Sequence, residues 1–150
     1  MIYASDLRDK IYNLFRSQSL AVLASQKDGQ SYANLVAFAA TDDLRTMLFS
    51  TSRSTRKFSN IQDKPLIALL VDNRSNSSAD FKDALAVTAL GKVNEVQDAE
   101  KENLSSVYLA KHPHLSVFIS SPNQAFLKVD VSKYILVSNF QRVLEIDVDE

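Results

Sequence analysis

The chain has no cysteine and no tryptophan, only two glycines, three prolines and two histidines. Without cysteine there is no disulfide framework, no thiolate zinc site and no cysteine nucleophile. Gly29 and Gly91 stand too far apart to form a GxGxxG dinucleotide turn or a Walker phosphate loop. His112 and His114 flank Pro113, which is not the i, i+4 spacing that brings two metal ligands onto one helical face. Both are expected in an exposed turn. No nucleophile elbow is present. No apolar run approaches the ~18 residues of a membrane-spanning helix, and the N-terminus lacks the apolar core of a secretory leader. Neither charge sign dominates: the formal net charge is −1, so bulk electrostatics point to neither nucleic acid nor a membrane surface. A cytoplasmic protein is expected. If it is an enzyme, a bound cofactor supplies its chemistry.

What is present suits one folded domain over residues 1–150, with 45% hydrophobic residues, enough for a real core. Apolar residues at helical spacing predict helices over Ala4–Ser17 and Asp98–Lys111, and a shorter one over 55–62. Strands are predicted at 20–25, 32–40, 46–50, 66–71, 85–96, 126–131 and 133–137, with an edge extension over 139–147. Lys27-Asp28-Gly29-Gln30 reads as a hairpin turn. Gly91, inside a strand, predicts a bulge or a close backbone approach. Segment 115–119 reads as a strand or a turn of helix. The polar stretch 72–83 is a candidate functional insertion, with one helical turn near 79–81. Six or seven antiparallel strands with about three peripheral helices make a small antiparallel barrel, mainly β within an α+β setting.

The most informative segment is 48–61, which carries six hydroxyl side chains and the cations Arg53, Arg56 and Lys57. It runs from an apolar strand into a helix that Ser54 or Thr55 can cap. A helix start with free N–H groups, hydroxyls and cations is suited to bind phosphate.

This segment resembles the phosphate-binding turn of the pyridoxamine 5'-phosphate oxidase-like, FMN-binding split-barrel family. The matching residues are Ser50-Thr51, the triplet Thr55-Arg56-Lys57, Asn60-Ile61 and Pro65, followed by the strand 66–71. The resemblance extends from about Leu20 to Leu144 and implies a split barrel of Greek-key type. It assigns the FMN phosphate to Thr51, Thr55, Arg56 and Lys57, with Ser50 beside them. It places the flavin ring along Asn34, Leu35, Val36 and Ala37, and sets Asn73, in Asp72-Asn73-Arg74, at the mouth of the site. The oxidase carries an arginine early in the second strand. Residues 33–36 offer no cation there, so the phosphate rests on the triplet, with Arg53 or Arg74 as further candidates.

The resemblance implies an FMN-dependent oxidoreductase acting on an unidentified small molecule, working as a homodimer with flavin at the subunit interface. Pyridoxamine phosphate is not the expected substrate, because the oxidase's C-terminal Trp-x-Arg element has no counterpart in a chain without tryptophan. Three alternatives stand beside this reading: a deazaflavin-dependent reductase, a haem-binding split-barrel protein with His112 or His114 as iron ligand, and a non-enzymatic module holding flavin or another phosphorylated ligand.

Overall fold

Helix α1 (Ala4–Ser17) presents Leu7, Ile11, Leu14 and Phe15 on one face, and all four are buried. This computed structural model describes residues 4–148. After α1 come the strands β1 (Leu20–Lys27), β2 (Gln30–Ala40) and β3 (Thr46–Ser52), then helix α2 (Arg56–Asp63). Strand β4 (Leu66–Asp72), helix α3 (Asp80–Asp83), strand β5 (Leu85–Glu95) and helix α4 (Asp98–Lys111) follow. A single 3₁₀ turn (Pro113–Leu115) leads into helix α5 (Ser116–Ser120), and β6 (Gln124–Ser138) and β7 (Arg142–Asp147) complete the described chain.

The strands are antiparallel in the order β3-β2-β1-β4-β5-β6, and β6 returns to pair with β3, closing a six-stranded barrel. Strand β6 serves two partners on one side. Its first half pairs with β3, from Ser52↔Gln124 to Thr46↔Asp130, and its second half pairs with β7, from Lys133↔Asp147 to Ser138↔Arg142. The β1–β2 hairpin turns on Asp28 (φ 51°) and Gly29 (φ 81°), the two positive φ values of a type I′ turn.

Gly91 satisfies both of its expected roles. The register slips between Leu90 and Gly91, where Ser132 is the extra residue of β6. A Cβ at Gly91 would stand 2.5 Å from the Asp130 carbonyl oxygen. The predicted break between two final strands is therefore this bulge within a single fifteen-residue strand. The described chain also has five α-helical segments rather than about three. The additional α3 and α5 are single turns at or beside the two places, 79–81 and 115–119, where the sequence suggested a turn of helix.

The strands β2 and β3 share only three register pairs, Phe38↔Phe49 to Ala40↔Met47. Beyond these they part: the rest of β2 follows β1, and the end of β3 follows β6. Helix α2 packs against β1 and β3 and drives Phe58 and Ile61 into the barrel core. A second apolar cluster lies outside the barrel, where Leu104 and Tyr108 of α4 and Ile119 of α5 cover Ala39, Leu48 and Phe126.

Candidate functional site

The turn after β3 is fixed by its own hydroxyls. Thr55 caps α2 from extended backbone, and its Oγ1 accepts the Phe58 N–H at 3.3 Å. That hydroxyl donates its only proton to the Ser52 carbonyl at 2.8 Å. In the 3.0 Å contact between Thr51 Oγ1 and Thr55 Oγ1, Thr51 is therefore the donor. Asn123 supports the turn from β6's side, accepting the Arg53 N–H at 2.9 Å and donating to Ser52 Oγ at 3.2 Å.

The N–H groups of Arg56 and Lys57 open α2 and have no intrahelical acceptor. No acidic residue stands in that first turn, so the positive end of the helix dipole is uncompensated by its own sequence. The Arg56 guanidinium is exposed and lies 5.5 Å from the Tyr32 ring centroid on β2. Lys57 is half-buried, and burial lowers its amine pKa below the usual lysine range. Among the described residues no carboxylate pairs with either cation. A bound anion would supply the missing countercharge and favour the protonated amine.

Two buried acceptors near this corner lack partners: Asn34 Oδ1 and Asn60 Oδ1. Asn60, on α2, is 1% exposed and donates through Nδ2 to Ser25 Oγ of β1 at 3.3 Å. Asn34 pairs across the sheet with the fully buried Leu23, so it shares the inner face of the barrel. Orphaned buried oxygens are uncommon, and they suit the N–H and O–H donors of a polar ligand. Sequence reasoning missed Ser25 and Tyr32 as site residues, and it counted Asn60 in the matching turn without giving it a role. The available signal was an asparagine standing directly before the buried Ile61.

The structure brings together Thr51, Thr55, Arg56 and Lys57 at the start of α2, while Asn34 and Val36 lie on the inner face of β2, Val36 packed into the barrel core. Other expected residues lie elsewhere. Ser50 sits on the opposite face of β3 from Thr51, where its hydroxyl donates to Gln124 Oε1 at 3.2 Å. Leu35 and Ala37 face outward, and the Ala37 carbonyl accepts the Tyr108 hydroxyl at 3.0 Å. Asn73 follows the far end of β4, where its Oδ1 accepts the Leu85 N–H at 2.7 Å. It tethers the 72–83 segment to β5 at the other end of the barrel from α2. Arg53 makes a two-pronged pair with Glu95 at 2.9 and 2.8 Å, and Arg74 pairs with Asp72 at 3.0 Å. Neither of these arginines joins the α2 cluster.

His112 corrects an expectation. It is 3% exposed rather than in an exposed turn, and its Nε2–H donates to the Phe38 carbonyl at 2.7 Å. Burial lowers its pKa, opposed by that hydrogen bond and reinforced by Lys111 and His114. Position explains the burial: His112 ends α4, the helix packed on β2. His114 is exposed as expected. Among the described residues no group of three or more His, Cys, Asp or Glu is placed to hold a metal ion. Among the described residues no helix is long and apolar enough to cross a membrane.

The family model for pyridoxamine 5'-phosphate oxidase matches residues 7–138. No curated protein matches the sequence significantly. Among solved structures, a heme binding protein from Mycobacterium smegmatis superposes with a TM-score of 0.86 at 13% identity, covering 99% of this chain. This chain spans only 60% of that protein's length. A Clostridium acetobutylicum protein related to general stress protein 26 of B. subtilis, of the pyridoxinephosphate oxidase family, gives 0.75 at 15% identity, covering 98% of both chains. A FAD-binding protein from Mesorhizobium loti gives 0.68 at 16% identity, covering 85% of this chain and 89% of its own. At these identities the structural likeness speaks for the barrel alone. The family match, spanning most of the sequence, says more: the chain belongs to the pyridoxamine 5'-phosphate oxidase family.

Proposed function

We propose that this protein binds FMN, with the phosphate at the start of α2, and works as a flavin-dependent oxidoreductase on a small molecule other than pyridoxamine phosphate. One observation carries the reading: a helix N-terminus with hydroxyls and two cations lacks countercharge, and two orphaned buried acceptors lie on the elements around it. Arg56 and Lys57 bind the phosphate as charge-assisted donors. Thr55 keeps the turn closed, while Thr51 presents its oxygen beside the cap. Asn34, half-buried on β2, accepts a hydrogen bond from a polar part of the cofactor. When bound, FMN supplies hydride or electron transfer at its ring.

A second copy of the chain fits the same proposal. Leu20, Leu35 and Leu66 are 52%, 60% and 68% exposed. They stand on one outward face of β1, β2 and β4, where Leu35, Val22 and Leu70 form one cross-strand row and Ala33, Ala24 and Ala68 another. A continuous apolar sheet face of this kind suits a homodimer.

Haem is the second reading, favoured by what the Mycobacterium smegmatis neighbour is described as binding. With His112 Nε2 held by Phe38, it draws its imidazole from the exposed His114.

Substituting Arg56 and Lys57 together by alanine is expected to weaken FMN binding by about 3 kcal/mol, roughly a hundredfold in Kd. Fluorescence quenching of FMN on titration measures it, with S50A as a control that keeps wild-type affinity. Unchanged affinity in the double variant would remove the phosphate assignment.

A further inference from the structure

A cavity of about 410 Å³ lies between α1, α4 and the end of β2, away from the α2 corner. Phe15, Ala39, Ala40, Leu44 and Val107 form its apolar side, and Tyr12 and Thr41 add hydroxyls to the lining. Lys111, at the end of α4, also lines it. The ammonium donates to the Phe15 carbonyl at 2.8 Å and stands 3.6 Å from the Phe38 ring centroid. Among the described residues no carboxylate lies within ion-pair distance of it. The other charged side chains of the lining are Arg16, whose guanidinium donates to the Tyr12 hydroxyl at 2.9 Å, and Asp42.

We propose that this cavity binds a small amphipathic carboxylate, with its hydrocarbon body between α1 and α4 and its carboxylate on Lys111. An ammonium has three donors, and the protein gives this one a single acceptor. The remaining donors have no protein acceptor and the charge faces only the Phe38 ring, in a partly desolvated place where a charge-assisted bond is strong. The cost of that desolvation shows in the amine, which burial pushes down to about 8. Apolar walls interrupted by a few polar groups, at this volume, are the pattern of small-ligand pockets. The competing role is structural: Lys111 completes the C-terminus of α1, whose last carbonyls favour a cation. That role needs no cavity beside it.

Octanoate and 1-octanol share a hydrocarbon chain and differ in charge, so titrating each into the full-length protein by calorimetry separates the two roles. Octanoate is expected to bind at least tenfold more tightly than octanol, and K111M to abolish that preference. A110F projects a ring into the cavity from an exposed helix position and leaves the lysine in place, so it is expected to block octanoate even if K111M folds poorly. Absent octanoate binding, a preference that survives K111M, or undiminished octanoate affinity in A110F would each overturn the proposal.

Discussion

Thr55 shows how one side chain closes a turn and starts a helix at once. Its oxygen satisfies an orphan N–H of α2, and its proton fixes the Ser52 carbonyl. T55A is expected to cost about 1 kcal/mol of stability, the usual loss for a helix cap, read from the midpoint of urea unfolding. His112 carries a pH dependence whose sign follows from burial. The folded histidine has a lowered pKa, so between that value and the 6.5 of an ordinary histidine the unfolded chain binds more protons. The stability it contributes is present above that window and is lost as pH falls through it. Urea unfolding at successive pH values is expected to show a smaller acid-side loss in H112Q, which keeps an N–H donor but cannot ionise. An equal loss in both proteins would contradict the assignment. At this scale the sequence was only partly legible. The hydroxyl and cation cluster was plain from composition and spacing. The burial of His112 was hidden, because Pro113 announces a turn without saying which side of it packs. The orphaned oxygens of Asn34 and Asn60 were hidden too, since they depend on contacts among α2, β1 and β2 that are distant in sequence.

Elements were read more securely where their pattern was long or their turn chemistry specific. Helices α1 and α4 were bounded correctly by apolar periodicity, and the Asp28-Gly29 hairpin by the positive φ both residues accept. The short helices α3 and α5 gave only a hint of a turn near each place, since one turn is too short for a periodic pattern. Alternation along β2 settles which residues share a face, and so separates the inward Asn34 and Val36 from the outward Leu35 and Ala37. Register does the same for β3, parting Thr51 from Ser50. The bulge at Gly91 is tightly constrained, because the Asp130 backbone and the Val129 side chain occupy the space of its missing Cβ. G91A is expected to destabilise the protein by about 1–3 kcal/mol, the range for overpacking. Thermal unfolding checks this, and a wild-type Tm would show that the β5–β6 bulge relaxes freely.

For the whole molecule, the decisive feature is a closed barrel whose strands β2 and β3 separate at one end, with α2 set into the opening. The same closure leaves an apolar face on β1, β2 and β4 that no helix covers in one chain. Placing a charge there, as in L35E, is expected to convert a dimer to a monomer in sedimentation equilibrium without unfolding it. A wild-type monomer would instead exclude the paired reading. The central claim is the cofactor, and the most direct measurement is the absorbance spectrum of the purified protein, taken after FMN is added and free flavin is removed by desalting. The expected result is a retained flavin band near one equivalent per chain. A colourless protein that keeps no FMN would contradict it and leave the family resemblance as one of architecture.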